Sequence, residues 1–257
     1  MTTATRPVGQ LIREWREHRR LSQLELSIQA DISTRHLSFV ETGRSKPTPE
    51  MILRLGEHLD VPLRERNTLL LAGGYAPAFP HHGFDEPELD SVRAALKQVL
   101  DGLLPNPAVV INRWWELVDA NSAINVFLDG CAPHLLEPPV NVLRLSLHPD
   151  GMAPRIVNLP QWRAHLLTQL HKRSEAMGDA RLQDLHDELR EYPGGLATAP
   201  RHTDVVLPLR YRLGDRELSF FSLAAAVETA TDVTVDELAV ESFFPADAAT
   251  AEVLRTL

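Results

Sequence analysis

Cysteine is almost absent from this chain of 257 residues, which carries only Cys131. A single thiol excludes an internal disulfide framework and any zinc site that needs more than one thiolate. A reducing cytoplasm is the compartment expected. No hydrophobic run approaches the roughly 20 residues of a membrane helix, so no membrane partner is expected. The start, "MTTATRPVGQ", has neither the basic segment nor the apolar run of a signal peptide. Catalytic signatures are missing as well. No serine stands in a G-x-S-x-G elbow, and "HDELR" from His186 lacks the second histidine of a zinc-protease helix. No glycine-rich phosphate loop is present. His148 and Asp150 in "LHPDG" read as a turn, and the adjacent His81 and His82 as linker residues. No catalytic residue, metal ligand or cofactor is assigned, and no enzyme is expected.

What is present is a chain acidic in sum and basic in part. The formal net charge is -9, yet Met1–Arg66 holds eleven basic and nine acidic residues, a net of +2. The acidity lies behind residue 66, and Arg6–Lys46 alone carries +3. Exposed charges act over about 10 Å at physiological salt, so the N-terminal part can meet phosphates whatever the remainder carries.

That part reads as five short helices with clear start signals. Val8, Leu11 and Trp15 make the apolar stripe of the first, and Arg13, Arg16, Arg19 and Arg20 lie mostly off it. "SQLE" (22–25) fits a capping box and turns Leu26, Ser27 and Ala30 inward. Asp31 then takes a turn position where left-handed geometry is needed, which aspartate tolerates. Ser33 caps a third helix whose core face is Leu37 and Val40, leaving Thr34, Arg35, Ser38 and Phe39 pointing outward. Gly43 ends it. Thr48 and Pro49 start a fourth helix lined by Ile52, Leu55 and Leu59, and a fifth runs from Pro62 to about Ala72.

Two helices joined by a tight turn, with small residues at the crossing, form the helix-turn-helix pattern. "LSQLELS" (21–27), "ISTRHLSFVETGRSKP" (32–47) and "LGEHLDVP" (55–62) together resemble the lambda-repressor-like group, specifically the Xre family of bacterial regulators. Asp31 and Ser27 stand where that family usually has glycine and alanine. The resemblance covers about the first 75 residues and implies a double-stranded DNA operator as partner. It places Thr34, Arg35 and Phe39 at base-facing positions with Ser38 beside them, and Gln23 at a phosphate contact. Arg35 suits guanine O6/N7 and Phe39 a thymine methyl. Arg44 and Lys46, leaving the third helix, are further phosphate candidates. Arg16 and Glu41 match a pair that ties helix one to helix three.

"GGYAPAFPHHGFDEPEL" (73–89) is rich in Gly and Pro, so residues 76–88 read as a linker between a 1–75 DNA-binding domain and an 89–257 domain. The second domain opens with a helical period at Leu89, Val92, Leu96, Val99 and Leu103. "AVVIN" and "WELVDAN" then read as short strands around a tight Asn112-Arg113 turn. Helices are expected at 122–128, 140–148, 160–175 and 180–191. Strands follow on both sides of a Gly214-Asp215 hairpin and at 237–247. The class is therefore multi-domain: an all-α helix-turn-helix domain followed by an α+β, PAS-like domain.

"NPAVVINRWWELVDAN", "NVLRLSLHPDGMAPRIVN", "WRAHLL" and "VTVDELAVESFFPAD" are similar to the MmyB-like ligand-binding domain found behind Xre-type domains. The resemblance implies a PAS-like sensor for a hydrophobic small molecule such as a fatty acid or acyl derivative. Sensor pockets are apolar with few polar anchors. Trp115, Phe127, Trp162 and Phe221 are the candidate lining, and Arg144 or His148 the candidate partner of an acidic ligand. The expected function is a homodimeric transcriptional regulator with a small-molecule effector. The alternative is a C-terminal interaction module without an effector, which a closed, well-packed core would favour and a sizeable apolar cavity would disfavour.

Overall fold

The structure is a computed structural model that describes residues 6–195, 197 and 206–256. It divides into two compact units, one of Met1–Gly83 with Glu228–Asp236 and one of Phe84–Val227 with Glu237–Leu257.

The first unit contains α1 (Val8–His18), α2 (Gln23–Gln29), α3 (Thr34–Glu41), α4 (Pro49–His58) and α5 (Leu63–Ala72). Their starts are where the caps place them. Ser22 accepts from the Glu25 amide while Glu25 reaches back to the Ser22 amide, Ser33 accepts from His36 N–H, and Thr48 accepts from Met51 N–H. Asp31 adopts φ 51°, supplying the left-handed step of the turn between α2 and α3. Gly43, at φ 73°, ends α3. Leu11, Ile12, Leu26, Leu37, Val40, Ile52, Leu55 and Leu59 form the core. Ile12, which the stripe reading passed over, is fully buried, while Trp15 is only partly covered.

The segment 228–236, with the single turn α11 (Val233–Asp236), belongs to this unit. The Asp236 carboxylate accepts from Leu63 N–H at 3.1 Å, capping the start of α5. Asp232 accepts from both the His82 amide and its ring, the latter at 2.8 Å, and Thr234 Oγ1 donates to the His82 carbonyl. Part of the Gly/Pro-rich stretch is likewise tied down: Asn67 bonds the amides of Ala78 and Phe79 and the Phe79 carbonyl.

The second unit is a five-stranded antiparallel sheet of order β2-β1-β5-β4-β3, made of β1 (Ala108–Ile111), β2 (Leu117–Ala120), β3 (Leu209–Leu213), β4 (Arg216–Ala226) and β5 (Ala239–Pro245). Helix α6 (Asp90–Gly102) covers one face through Leu96 and Leu100 against Ala108, Val110 and Leu238. The other face meets α7 (Asn125–Leu128), α8 (Val142–Leu147), α9 (Leu159–Met177) and α10 (Ala180–Glu191), and α12 (Ala248–Thr256) adds Val253 and Leu254 to the same core. Strand β1 is buried at every residue because helices cover both sides. Helices α9 and α10 are joined through Gly178 in left-handed geometry, φ 61°.

The expected Asn112-Arg113 turn differs in detail. The turn runs to Glu116, because the Asn112 side-chain carbonyl accepts from the amides of Trp114 and Glu116 at 2.9 and 3.0 Å. Trp115 takes the left-handed backbone, φ 57°, and β2 therefore begins at Leu117 rather than Trp115. Among the described residues no helix is long and apolar enough to cross a membrane.

Candidate functional site

The outward face of α3 is assembled by its neighbours. Leu37, Val40 and Glu41 are buried, which turns Arg35 out to solvent and leaves Thr34, Ser38 and Phe39 partly covered. The Thr34 hydroxyl is hydrogen-bonded to Ser27 Oγ at 2.8 Å, so the start of α3 is held to α2. The guanidinium carbons of Arg35 and Arg44 lie 5.3 and 5.9 Å from the Phe39 ring centre. Phe39 thus lies within cation–π reach of two guanidinium groups, one from the helix and one from its exit. Lys46 Nζ sits 4.7 Å from the Tyr75 ring centre. Behind the face, Arg16 makes a bidentate pair with Glu41 at 2.7 and 2.9 Å and donates to the Leu21 carbonyl at 2.8 Å. The hydrogen bonds to Glu41 hold the Arg16 pKa above its ordinary value. Gln23 Nε2 joins this network, donating to Glu41 at 2.8 Å. Helix α3, helix α1 and the start of α2 are therefore fixed by one carboxylate. The bidentate tie bears out the pairing of Arg16 with Glu41.

In the second unit a cavity of about 200 Å³ lies between the sheet and α7, α8 and α9. Phe127 and Trp162 line it with Leu143, Leu145, Leu166 and Phe243. The sheet contributes Val109, Leu209, Glu241 and Phe243. Glu241 and Phe243 share a face because side chains on a strand alternate. The lining is otherwise apolar apart from Ser146, whose oxygen accepts from Trp162 Nε1 at 3.2 Å.

Burial among these apolar groups pushes the Glu241 carboxyl up to about 7. The sign follows from proton counting. Between about pH 4.5, the ordinary carboxyl value, and pH 7, the folded chain keeps a proton that the unfolded chain has released. Stability therefore falls as pH rises through that window and is level above it. Glu241→Gln is expected to stabilise this domain by about 1–3 kcal/mol at pH 8, with the difference vanishing towards pH 4. Thermal unfolding of both proteins across that range checks it, and parallel profiles would refute it.

Residues 92–257 match the family model of the MmyB-like transcription regulator ligand binding domain, and residues 12–66 match a helix-turn-helix model. The chain belongs to the MmyB-like transcription regulators. It is a helix-turn-helix DNA-binding regulator with a ligand-binding domain, all-α followed by α+β, as the sequence indicates. It is similar to the uncharacterized HTH-type transcriptional regulator RghRB of Bacillus subtilis, with 37% identity over 75 residues. That match spans 29% of this chain and 52% of the relative, so about half of the relative's length is covered.

In this MmyB-like regulator the DNA-side candidates lie on successive elements: Gln23 at the start of α2, Thr34, Arg35, Ser38 and Phe39 on α3, and Arg44 and Lys46 after its end. The ligand-side candidates divide. Phe127 and Trp162 line the cavity, whereas Trp115, Arg144, His148 and Phe221 are not among its lining residues. Trp115 is buried beneath Arg173, whose guanidinium carbon lies 4.5 Å from its ring centre. Arg144 is engaged by Glu188 of α10 in a bidentate pair at 2.6 and 2.6 Å, which holds the Glu188 pKa below its ordinary value. His148 Nδ1 accepts from Asp150 N–H at 3.0 Å, and its ring stacks edge-on against Tyr192. Phe221 is 38% exposed on β4.

His134, His148 and Asp150 bring three potential metal ligands within 4.8 Å of one another. The His148 nitrogen nearest Asp150 already serves the backbone turn, and His134 and Asp150 are exposed. The group is explained as a turn.

Glu241 is the residue that sequence reasoning missed. Its signal was an acidic residue in phase with Phe243 at a spacing of two, in a segment otherwise apolar on that side.

Proposed function

We propose that this protein is a one-component regulator that binds an operator through α3 as a homodimer and responds to a hydrophobic small molecule held between the sheet and α7–α9. The apolar cavity carries this reading. Its volume of about 200 Å³ exceeds the ~150 Å³ apolar cavity that takes benzene, and a core built only for protein contacts has no use for it. The alternative, an interaction module without an effector, calls for a closed core at this place. The resemblance to MmyB-like domains suggests an acyl-like molecule, and the leucine-rich lining supports an apolar body of that kind. Dimerisation follows from reach: α3 has eight residues and reads few base pairs, so two half-sites supply the affinity and specificity one cannot.

An effector must prefer one arrangement of the protein to change its DNA affinity. Chain continuity offers a route. Strand β5 carries Glu241 and Phe243 in the cavity wall and begins at Ala239, three residues after Asp236 caps α5. A shift of β5 on effector binding would pull on that cap.

Native mass spectrometry of protein purified from its own host tests the effector reading: a co-purifying apolar mass supports it. Val142→Trp, which fills the cavity from α8, is expected to abolish that mass while the chain stays folded. Persistence of the mass in the filled variant would place the ligand elsewhere. On the DNA side Gln23, Arg44 and Lys46 are the proposed phosphate contacts, and Thr34, Arg35, Ser38 and Phe39 the reading face. Gln23→Ala is expected to weaken binding several-fold on every sequence, a loss of about 1 kcal/mol. Electrophoretic mobility shifts on specific and scrambled duplexes check it, and a loss confined to the specific duplex would contradict the phosphate role.

A further inference from the structure

The sheet has an edge that β3 leaves uncovered. Strand β4 has eleven residues and β3 five, and their pairing stops at Leu209 opposite Phe220. Ahead of Leu209 the chain leaves the sheet, and Asn158 Nδ2 donates to the Pro208 carbonyl at 2.8 Å. Residues 221–226 of β4 are paired with 239–244 of β5 on their other side. Backbone groups point alternately to the two sides of a strand. Val157 N–H donates to the Arg210 carbonyl, so Arg210 faces away from β4 and Leu209 faces Phe220. By the same alternation the N–H and C=O groups of Ser222, Ala224 and Ala226 point to the side that β3 has left. Among the described residues none bonds to them there.

The side chains of this stretch do nothing to protect it. "SFFSLAAAV" (219–227) contains no charge, proline or glycine. Leu223 is 60% exposed, and Phe221, Ala224, Ala225, Ala226 and Val227 are exposed with it. Phe221, Leu223 and Ala225 stand opposite Phe244, Ser242 and Val240, on the face that α6 covers farther along the sheet. The other margins differ. Strand β3 exposes Arg210 and Arg212, and β2 carries Asp119 with the Glu116–Asn141 bridge ahead of it. A long, apolar, unpaired edge attracts another strand, and proteins that stay single blunt such edges with charge, proline or a bulge. The pairing of β4 with β5 runs from Phe220 to Ala226 without a bulge.

We propose that this edge is the homodimer interface: β4 pairs antiparallel with β4 of a second copy about a two-fold axis at Ala224, joining two sheets into one. This rests on the homodimer reading and locates the contact that it needs. Self-complementarity argues for a second copy. In a two-fold contact each patch meets itself, so a strand bearing one sign of charge repels its copy, whereas 219–227 is neutral throughout. With the axis at Ala224, the outward groups of Ser222, Ala224 and Ala226 meet those of Ala226, Ala224 and Ser222 in the second copy. About six backbone hydrogen bonds close in this way. Leu223 falls opposite Ala225 of the second copy and Phe221 opposite Val227, so each large side chain meets a smaller one. Another register either runs into β3 at Phe220 or leaves one of the three outward residues without a mate in the strand.

Sedimentation equilibrium of the full-length chain across micromolar concentrations reads the dimer, with Ala224→Pro as the first variant. The Ala224 N–H points outward, so proline removes bonding across the axis and none to β5. Ala224→Pro is expected to raise the dimer dissociation constant tenfold or more. The second variant is Ala224→Cys in a Cys131→Ser chain, oxidised with glutathione disulfide. Bonded antiparallel mates have Cα atoms about 5.5 Å apart, within the reach of a disulfide. A covalent dimer is expected, and several-fold less of it from Leu223→Cys in the same chain, because its mate is Ala225. A dimeric chain in which Ala224→Cys does not cross-link, or in which Ala224→Pro associates like the parent, overturns the proposal and moves the homodimer contact to another surface. A parent that stays monomeric overturns both readings and leaves the edge to a strand of another protein. Should Ala224→Pro fail to fold, the cross-link decides.

Discussion

Glu41→Ala is expected to destabilise the DNA-binding unit by about 3–5 kcal/mol, enough to abolish operator binding by unfolding rather than by loss of a contact. Arg16 and Glu41 are each 8% exposed, and the guanidinium spends its donors on the two Glu41 oxygens and the Leu21 carbonyl. Alanine leaves that cation buried without its counter-charge, and Gln23 Nε2 without its acceptor. A small domain is stable by only about 5–15 kcal/mol, so the loss is a large fraction of the total. Hydrogen exchange of the full-length chain reports it directly, as loss of protection in α1 and α3 while the β-sheet stays protected. Arg16→Met combined with Glu41→Leu is expected to recover most of the stability, because two apolar groups of similar size cost no desolvation. A Glu41→Ala effect below 1 kcal/mol would show that the pair is solvated in solution.

The helices of the first unit were legible because each carries local chemistry. Ser22, Ser33 and Thr48 cap where caps are needed, Pro49 starts α4, and Asp31 and Gly43 take left-handed positions. None of these depends on distant parts of the chain. The strands were legible from alternation, and the extent of the Asn112 turn was not, because it depends on one side-chain carbonyl collecting two amides. The inclusion of 228–236 in the N-terminal unit was beyond sequence reasoning, since the bonds from Asp236 to Leu63 and from Asp232 to His82 span more than a hundred residues. Of the six ligand-side candidates, Phe127 and Trp162 line the cavity. Aromatic content pointed to Phe127 and Trp162, but a cavity is the space that several elements leave unfilled. Its wall is mostly leucine and valine that the chain uses equally for core. Arg144 looked like an anchor because its partner Glu188 lies 44 residues away on another helix.

Arg35→Ala is expected to weaken operator binding ten- to a hundredfold and to relax sequence preference at one position of each half-site, a loss of about 1–3 kcal/mol. The side chain is exposed and makes no ion pair among the described residues, so the melting temperature should not move. Its guanidinium lies 5.3 Å from the Phe39 ring centre, and the stacking limits the directions it can take before DNA arrives. A base-reading arginine of this kind presents two parallel donors to guanine, which an ammonium cannot imitate, so Arg35→Lys should not restore preference. Salt dependence separates it from its neighbour. Arg44, proposed on phosphate, should reduce the slope of log affinity against log salt by about one when replaced by alanine, and should do so on every sequence. Arg35→Ala should leave that slope nearly unchanged while flattening the ranking of operator variants. Binding measured at three salt concentrations on a panel of single-base variants distinguishes the two patterns. An equal loss on all sequences with a reduced slope would move Arg35 from the bases to the backbone, and would leave Phe39 and Thr34 to carry the specificity of the helix.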